Sequence, residues 1–171
     1  VHAGAVGWQG RGIVIPGASH AGKSELVAAL VDAGATYYSD EFAVFDRRGR
    51  LFPFAKPLTR RQADGTVERT DAAQLTRGAE VPPVPVGSVI ETRYDAGATW
   101  NPQAQSRGAA VLALIQHALR AQVAPATTLP TLAAVAERAD FVSGPRGEAA
   151  TCASSILTTM NRPPLALQDI A

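Results

Sequence analysis

Gly17-Ala18-Ser19-His20-Ala21-Gly22-Lys23-Ser24 is the stretch on which this 171-residue sequence turns. It fits the pattern G-x-x-x-x-G-K-[S/T], and its surroundings fit as well. Residues 12–16 (Gly-Ile-Val-Ile-Pro) form a short apolar run ahead of it and residues 25–31 behind it suit a helix, so strand, loop and helix are predicted in that order. A glycine-rich turn backed by a helix N-terminus gathers backbone N–H groups that no intrahelical carbonyl satisfies, and these make a nest for phosphate oxygens. The pattern predicts that Gly17, Ala18, Ser19, His20, Ala21, Gly22, Lys23 and Ser24 hold a nucleotide, with Lys23 on the β and γ phosphates and Ser24 on Mg²⁺. Lysine usage points the same way. Of 16 basic residues 14 are Arg, so one of only two lysines, Lys23 and Lys56, stands where a compact phosphate-binding ammonium is needed.

On the N-terminal side, residues 1–8 alternate small and apolar and read as a strand, with Gln9-Gly10-Arg11-Gly12 as the turn into the next one. On the C-terminal side, Leu26, Val27, Leu30 and Val31 give residues 25–33 an apolar stripe, and Gly34 is a natural stop. Residues 35–39 form a short strand rich in Thr36, Tyr37 and Tyr38, and Asp40-Glu41 follow before the apolar residues 42–45. A strand that starts just after the loop helix is expected beside the strand that leads into the loop, which brings its C-terminal end to the phosphates. Asp40 and Glu41 are therefore candidates for a general base and for a metal partner, Asp40 joining Ser24 on Mg²⁺. Which of the two is the base stays open at this point.

Residues 46–50 read as a hairpin turn and 51–54 as the returning strand. Residues 55–85, with Lys56, Arg60, Arg61, Arg69, Arg77 and three prolines, are the least regular part and are expected to be a functional or partly disordered loop. Arg60 and Arg61 would neutralise a transferring phosphate, dock an acceptor, or simply face solvent. Beyond them a strand is predicted over 86–94, a loop over 95–101, and a helix over 108–122 with Val111, Leu112, Leu114, Ile115, Ala118 and Leu119 on one face. His117 is expected at the edge of that helix. Thr128 would cap the next helix with Pro130 in its first turn and Leu132, Val135 and Ala136 inward. A short strand over 140–143 and a helix over 146–160, stopped by Asn161 and Pro163-Pro164, complete the pattern.

Length predicts a single domain over 1–171. A net charge of +1 provides no bulk attraction to nucleic acid or to an anionic membrane, and no apolar run is long enough for a membrane span. Cys152 is the sole cysteine, so there is no internal disulfide, and a cytoplasmic setting is expected. Because the sequence begins at Val1 rather than Met, an N-terminal partner domain is left open.

Taken together, Val1-His2-Ala3-Gly4, Gly12-Ile13-Val14-Ile15, the run from Gly17 that ends in Gly22-Lys23-Ser24-Glu25, and Tyr38-Ser39-Asp40-Glu41 resemble the C-terminal kinase domain of the HPr serine kinase/phosphorylase family. The resemblance covers residues 1 to about 61 and is topological beyond. It implies an α/β fold, the phosphoenolpyruvate-carboxykinase-like P-loop fold, with a mixed sheet and flanking helices. It also implies a site lined by a strand histidine, the loop lysine and serine and an acidic pair, which fall here on His2, Lys23, Ser24, Asp40 and Glu41. By itself His2 reads as an ordinary strand histidine; its position relative to Gly17 puts a functional role on equal footing with that reading. The chain departs from the family in having Asp-Glu for its usual two aspartates, His20 for a loop glycine, and Glu91-Thr92-Arg93 with no equivalent of the family's E-x-R-G-x-G core.

The resulting expectation is an ATP- and Mg²⁺-dependent kinase that transfers the γ-phosphate to a serine hydroxyl of a protein, of HPr type, or of a small molecule. The alternatives are a nucleotide-binding regulatory module and an ATPase with no phosphoacceptor. The family's members often form rings, so a homo-oligomer is implied by the resemblance alone.

Overall fold

The computed structural model describes residues 1–18, 22–54, 56–61, 65–76 and 78–160. Strands β1 (Ala3–Trp8) and β2 (Arg11–Pro16) form an antiparallel hairpin, with Ala3 opposite Pro16 and Trp8 opposite Arg11. Its turn is Gln9-Gly10 alone, both at positive φ, a two-residue connection that matches the twist of the strands. Arg11 and Gly12, expected in the turn, therefore belong to β2. Helix α1 (Lys23–Asp32) leaves the loop and ends before Gly34 as expected, although it starts two residues earlier than predicted.

Strand β3 (Thr36–Ser39) does not lie beside β2. It pairs antiparallel with β1, because the hairpin already fills that edge of β2. Being antiparallel to the same strand, β2 and β3 still run in one direction, so the C-terminal end of β3 reaches the loop all the same. The sheet continues from β2 to β8 (Val84–Tyr94) and β10 (Asp140–Arg146), all three parallel, and closes on β9 (Gln103–Gln105), antiparallel at the edge. Strands β4 (Val44–Phe45) and β5 (Arg50–Phe52) make the predicted hairpin, and β5 pairs with the start of β8. The carboxylate of Asp46 holds its turn by accepting the Arg48 and Arg50 backbone N–H groups, each at 2.9 Å, and Arg50 Nε at 2.8 Å.

Within the central strands neighbouring residues alternate between two faces, with a shift in β8 that puts Val86 and Val89 on the same side. Val6, Ile13, Ile15, Tyr37 and Ile90 point to one face, under α1 and α5 (Ala149–Met160). Ala5, Val14, Tyr38 and Val89 point to the other, under α3 (Arg107–Gln116) and α4 (Pro125–Ala136). This is the period of two of a strand buried on both faces, and it yields the expected mixed sheet with flanking helices.

Several boundaries differ from expectation. Residues 55–85 contain a separate hairpin, β6 (Leu58–Arg61) with β7 (Val67–Thr70), and a short helix α2 (Ala72–Leu75). Leu58 is fully buried in the α1 layer and anchors that hairpin. Helix α3, capped by the Ser106 hydroxyl, ends at Gln116 and buries Ala110, Ala113 and Leu114, the two alanines letting it lie close. Leu112 and Leu119 are exposed, and Leu119 lies past the helix end. Helix α4 starts at Pro125 rather than at Thr128, with Pro130 inside it and Leu132, Val135 and Ala136 buried as expected. β10 runs on to Arg146, so α5 starts at Ala149; Asn161, Pro163 and Pro164 lie outside the described residues. Among the described residues, no helix is long and apolar enough to cross a membrane.

Candidate phosphate-binding site

Gly22 takes φ +73 as the N-cap of α1, and among the described residues no side chain caps that N-terminus. The left-handed backbone suits glycine, and so does the space: a Cβ there would lie 2.3 Å from Arg146 Nη2. The first-turn N–H groups of α1, which have no intrahelical partner, accordingly face the loop. Ser19, His20 and Ala21, predicted to complete the nest, lie outside the described residues.

Arg146 was expected to start a helix and instead ends β10, only 1% exposed. It donates from Nη2 to the Gly22 carbonyl at 2.9 Å and from Nη1 to the Gly147 carbonyl at 3.1 Å, and its guanidinium sits 5.6 Å from the Tyr94 ring centroid. It ties the end of the loop to the sheet. An arginine between Pro145 and Gly147 was its sole trace in the sequence.

The predicted residues His2, Lys23, Ser24, Asp40 and Glu41 all line one cleft of about 710 Å³, together with Lys56 and, from β7, Arg69. Lys23 is buried and its Nζ donates to the Ala18 carbonyl at 2.6 Å. Burial lowers its pKa, and the Asp40 carboxylate opposes that shift. Ser24 Oγ donates to Asp40 Oδ2 at 3.1 Å. The Tyr37 hydroxyl lies 3.2 Å from Asp40 Oδ1 and 2.9 Å from the Lys56 carbonyl; burial and the neighbouring Asp40 push its phenol pKa up.

The fully buried Ser39 separates the acidic pair. Its hydroxyl accepts the backbone N–H groups of Glu41 at 3.2 Å and Phe42 at 3.0 Å, bending the chain at the strand end. Asp40 turns to Ser24, and Glu41 turns to Lys56 Nζ at 2.5 Å. Lys56 in turn rests over the Phe42 and Phe54 rings, at 5.5 and 5.8 Å. His2 donates its backbone N–H to the His117 carbonyl at 2.7 Å and packs its ring against Phe42. Burial, then Lys23, holds its imidazole pKa below 6.5, against the Gly17 carbonyl and Glu41, so it is neutral at pH 7.

Ser24 Oγ and the Asp40 carboxylate are hard oxygen donors side by side at the loop, the set that suits Mg²⁺. Among the described residues, no group of three or more His, Cys, Asp and Glu gathers for a metal.

The other predicted groups lie elsewhere. Arg60 is turned to the back of α1, where Nη2 donates to Asp32 Oδ1 at 3.0 Å, and so it does not reach the cleft. His117 caps the end of α3 and borders a second, larger cleft of about 1080 Å³ on the far side of the loop, where Glu91, Thr92 and Arg93 also stand. Sequence reasoning missed Lys56 as the partner of Glu41, along with Arg69 and Arg146. Lys56 and Arg69 were noted only as charges in an irregular stretch.

No protein-family model and no curated protein matches the chain. Among solved structures it is similar to the HPr(Ser) kinase/phosphatase from Coxiella burnetii, with a TM-score of 0.53 and 17% identity over 93% of each chain. At that identity the likeness is one of fold. It extends well past the first 61 residues that carried the resemblance in sequence.

Proposed function

We propose that the chain is an ATP- and Mg²⁺-dependent kinase of the HPr-serine-kinase-like class, acting on a serine hydroxyl of a protein or small-molecule acceptor. The observation that carries this reading is the Ser24–Asp40 hydrogen bond at the N-terminus of α1, with Lys23 folded into the same loop. The loop amides and Lys23 take the phosphates, Lys23 exchanging the Ala18 carbonyl for a phosphate oxygen. Ser24 and Asp40 hold Mg²⁺, which when bound neutralises charge on the β and γ phosphates.

Glu41 is assigned as the base, because both Asp40 oxygens already have hydroxyl partners whereas Glu41, half exposed in the cleft, is paired through Oε2 alone, with Lys56. The acceptor oxygen bonds to the γ-phosphorus as its proton passes to the Glu41 carboxylate, and the bond from the γ-phosphorus to the β–γ bridging oxygen breaks to release ADP. Lys56 and Arg69 complement the anionic transferring group. His2, neutral in its pocket, adds no further cation and packs the wall beside Lys23. The positions fit the resemblance noted above, and the fold likeness is consistent with it.

The test is transfer of labelled γ-phosphate from ATP with Mg²⁺ to candidate acceptors, an HPr-type carrier among them, with Lys23→Ala in parallel. Transfer to serine that Lys23→Ala abolishes is the expected result. ATP bound with no phosphate moved to any acceptor and none released would replace this reading with that of a nucleotide-binding regulatory module.

A further inference from the structure

The loop has a second side. The larger cleft opens at the C-terminal ends of the parallel strands β2, β8 and β10, floored by Gly17, Ala18 and Gly22. Ligands of open α/β sheets lodge outside the carboxyl ends of such strands. This cleft adjoins the one that holds Ser24 and Asp40, sharing Gly22 and Glu25 with it.

The two clefts differ in their share of cations. Lys23, Lys56 and Arg69 line the smaller one beside Glu25, Asp40 and Glu41, whereas in the larger Glu25, Glu91 and Glu148 stand with the one guanidinium of Arg93 and with His117. The carboxylates of the larger cleft readily accept hydrogen bonds from hydroxyl and amino groups. Above them stands Tyr94 at the end of β8, its side chain 48% exposed in the cleft wall. Its hydroxyl is tethered to Glu148 Oε1 at 2.8 Å. Its ring is backed by the guanidinium of Arg146, which is itself buried and pinned by two backbone carbonyls. One face of the ring is thus taken and the hydroxyl is fixed, while the residue stays half exposed in the cleft wall. An aromatic ring held in this way is a stacking platform, and every nucleobase has a π-face to offer it.

We propose that this cleft is the nucleoside subsite of the phosphate loop: the base of the bound nucleotide stacks on Tyr94, and its ribose hydroxyls donate to the carboxylates beside it. The phosphates then run from this cleft across Gly22 to Lys23 and Ser24, which places the terminal phosphate on the side of Asp40 and Glu41. The subsite rests on the phosphate-loop reading above, and it assigns Arg146 two tasks through one guanidinium: holding the Gly22 carbonyl and backing the Tyr94 ring.

The experiment is calorimetric titration of the chain, with Mg²⁺, using ATP, GTP and inorganic tripolyphosphate, for the wild type, Tyr94→Ala and Tyr94→Phe. Tyr94→Ala should weaken ATP and GTP about tenfold or more while leaving tripolyphosphate within about twofold, and Tyr94→Phe, which keeps the ring, should bind both nucleotides within about threefold of wild type. Equal losses for ATP and tripolyphosphate in Tyr94→Ala, or no loss for ATP, would overturn the subsite. If wild type binds tripolyphosphate as tightly as ATP, the loop reading survives and the subsite falls. If it binds neither, the loop reading itself is wrong.

Discussion

Asp40 and Glu41 are sequence neighbours with the same charge, yet the Ser39 hydroxyl bends the chain so that one meets Ser24 and the other Lys56. Their substitutions should therefore separate. Asp40→Asn replaces a charged oxygen beside Ser24 with a neutral one, and Mg²⁺-dependent ATP affinity should fall by at least about tenfold, with little change in EDTA. Glu41→Gln should leave that affinity nearly intact and slow single-turnover transfer by roughly 10²- to 10⁴-fold, the usual worth of a general base. Titration in Mg²⁺ and in EDTA, paired with single-turnover kinetics, reads both effects; Glu41→Gln weakening Mg²⁺-ATP as much as Asp40→Asn does would refute the division of labour. The acidic pair was legible in the sequence because two carboxylates interrupt apolar runs just past the loop helix. Which one faces the loop was not, since that depends on a side-chain-to-backbone bond that leaves no pattern.

At the scale of elements, the loop and α1 are held from below by β10. Gly22→Ala places a Cβ at φ +73, costing roughly 1–2 kcal/mol for the left-handed backbone alone. It also pushes Arg146 Nη2 off the Gly22 carbonyl, a charge-assisted bond worth about 1.5–3 kcal/mol. If the two effects share this contact, Gly22→Ala and Arg146→Met should couple in a double-mutant cycle by about 1 kcal/mol or more, measured by urea unfolding. Effects that add within about 0.5 kcal/mol would mean that the clamp does not hold the loop. Arg146 escaped sequence reasoning because its partners are backbone carbonyls, one of them 124 residues away, and carbonyls carry no side-chain signature. The β6–β7 hairpin escaped for another reason: apart from Leu58 its described side chains are mostly exposed, so strand alternation is weak. Helix α1 was easy by contrast, since its apolar stripe, its glycine stop and the loop before it all agree. The neighbour of β3 was not legible from the loop and its helix alone, because the hairpin ahead of the loop competes for the edge of β2 and takes it.

At the scale of the whole molecule, the α1 and α5 layer behind the loop closes over Cys152, which is 2% exposed among Leu26, Leu30, Ile156 and their neighbours. Desolvation raises its thiol pKa from 9.0 to about 11, with Arg146 opposing. The folded chain thus keeps this proton up to about pH 11, whereas the unfolded chain gives it up near pH 9. Between those values the folded state binds more protons, so unfolding releases one and rising pH favours it. The stabilisation is complete below about pH 9 and is lost through pH 11, for a total on the order of 2–3 kcal/mol. Tyr37 and Tyr38, whose phenol pKa values burial also raises, tilt the whole curve in the same direction, so the absolute slope cannot be assigned to the thiol. The difference between wild type and Cys152→Ala can. Denaturant midpoints taken in steps from pH 8 to pH 11.5 should show the wild type losing stability faster than the variant, and most of the divergence should fall above pH 9. Parallel curves would mean that the layer admits water to the thiol without global unfolding. In that case α5 opens separately from the sheet that carries the loop.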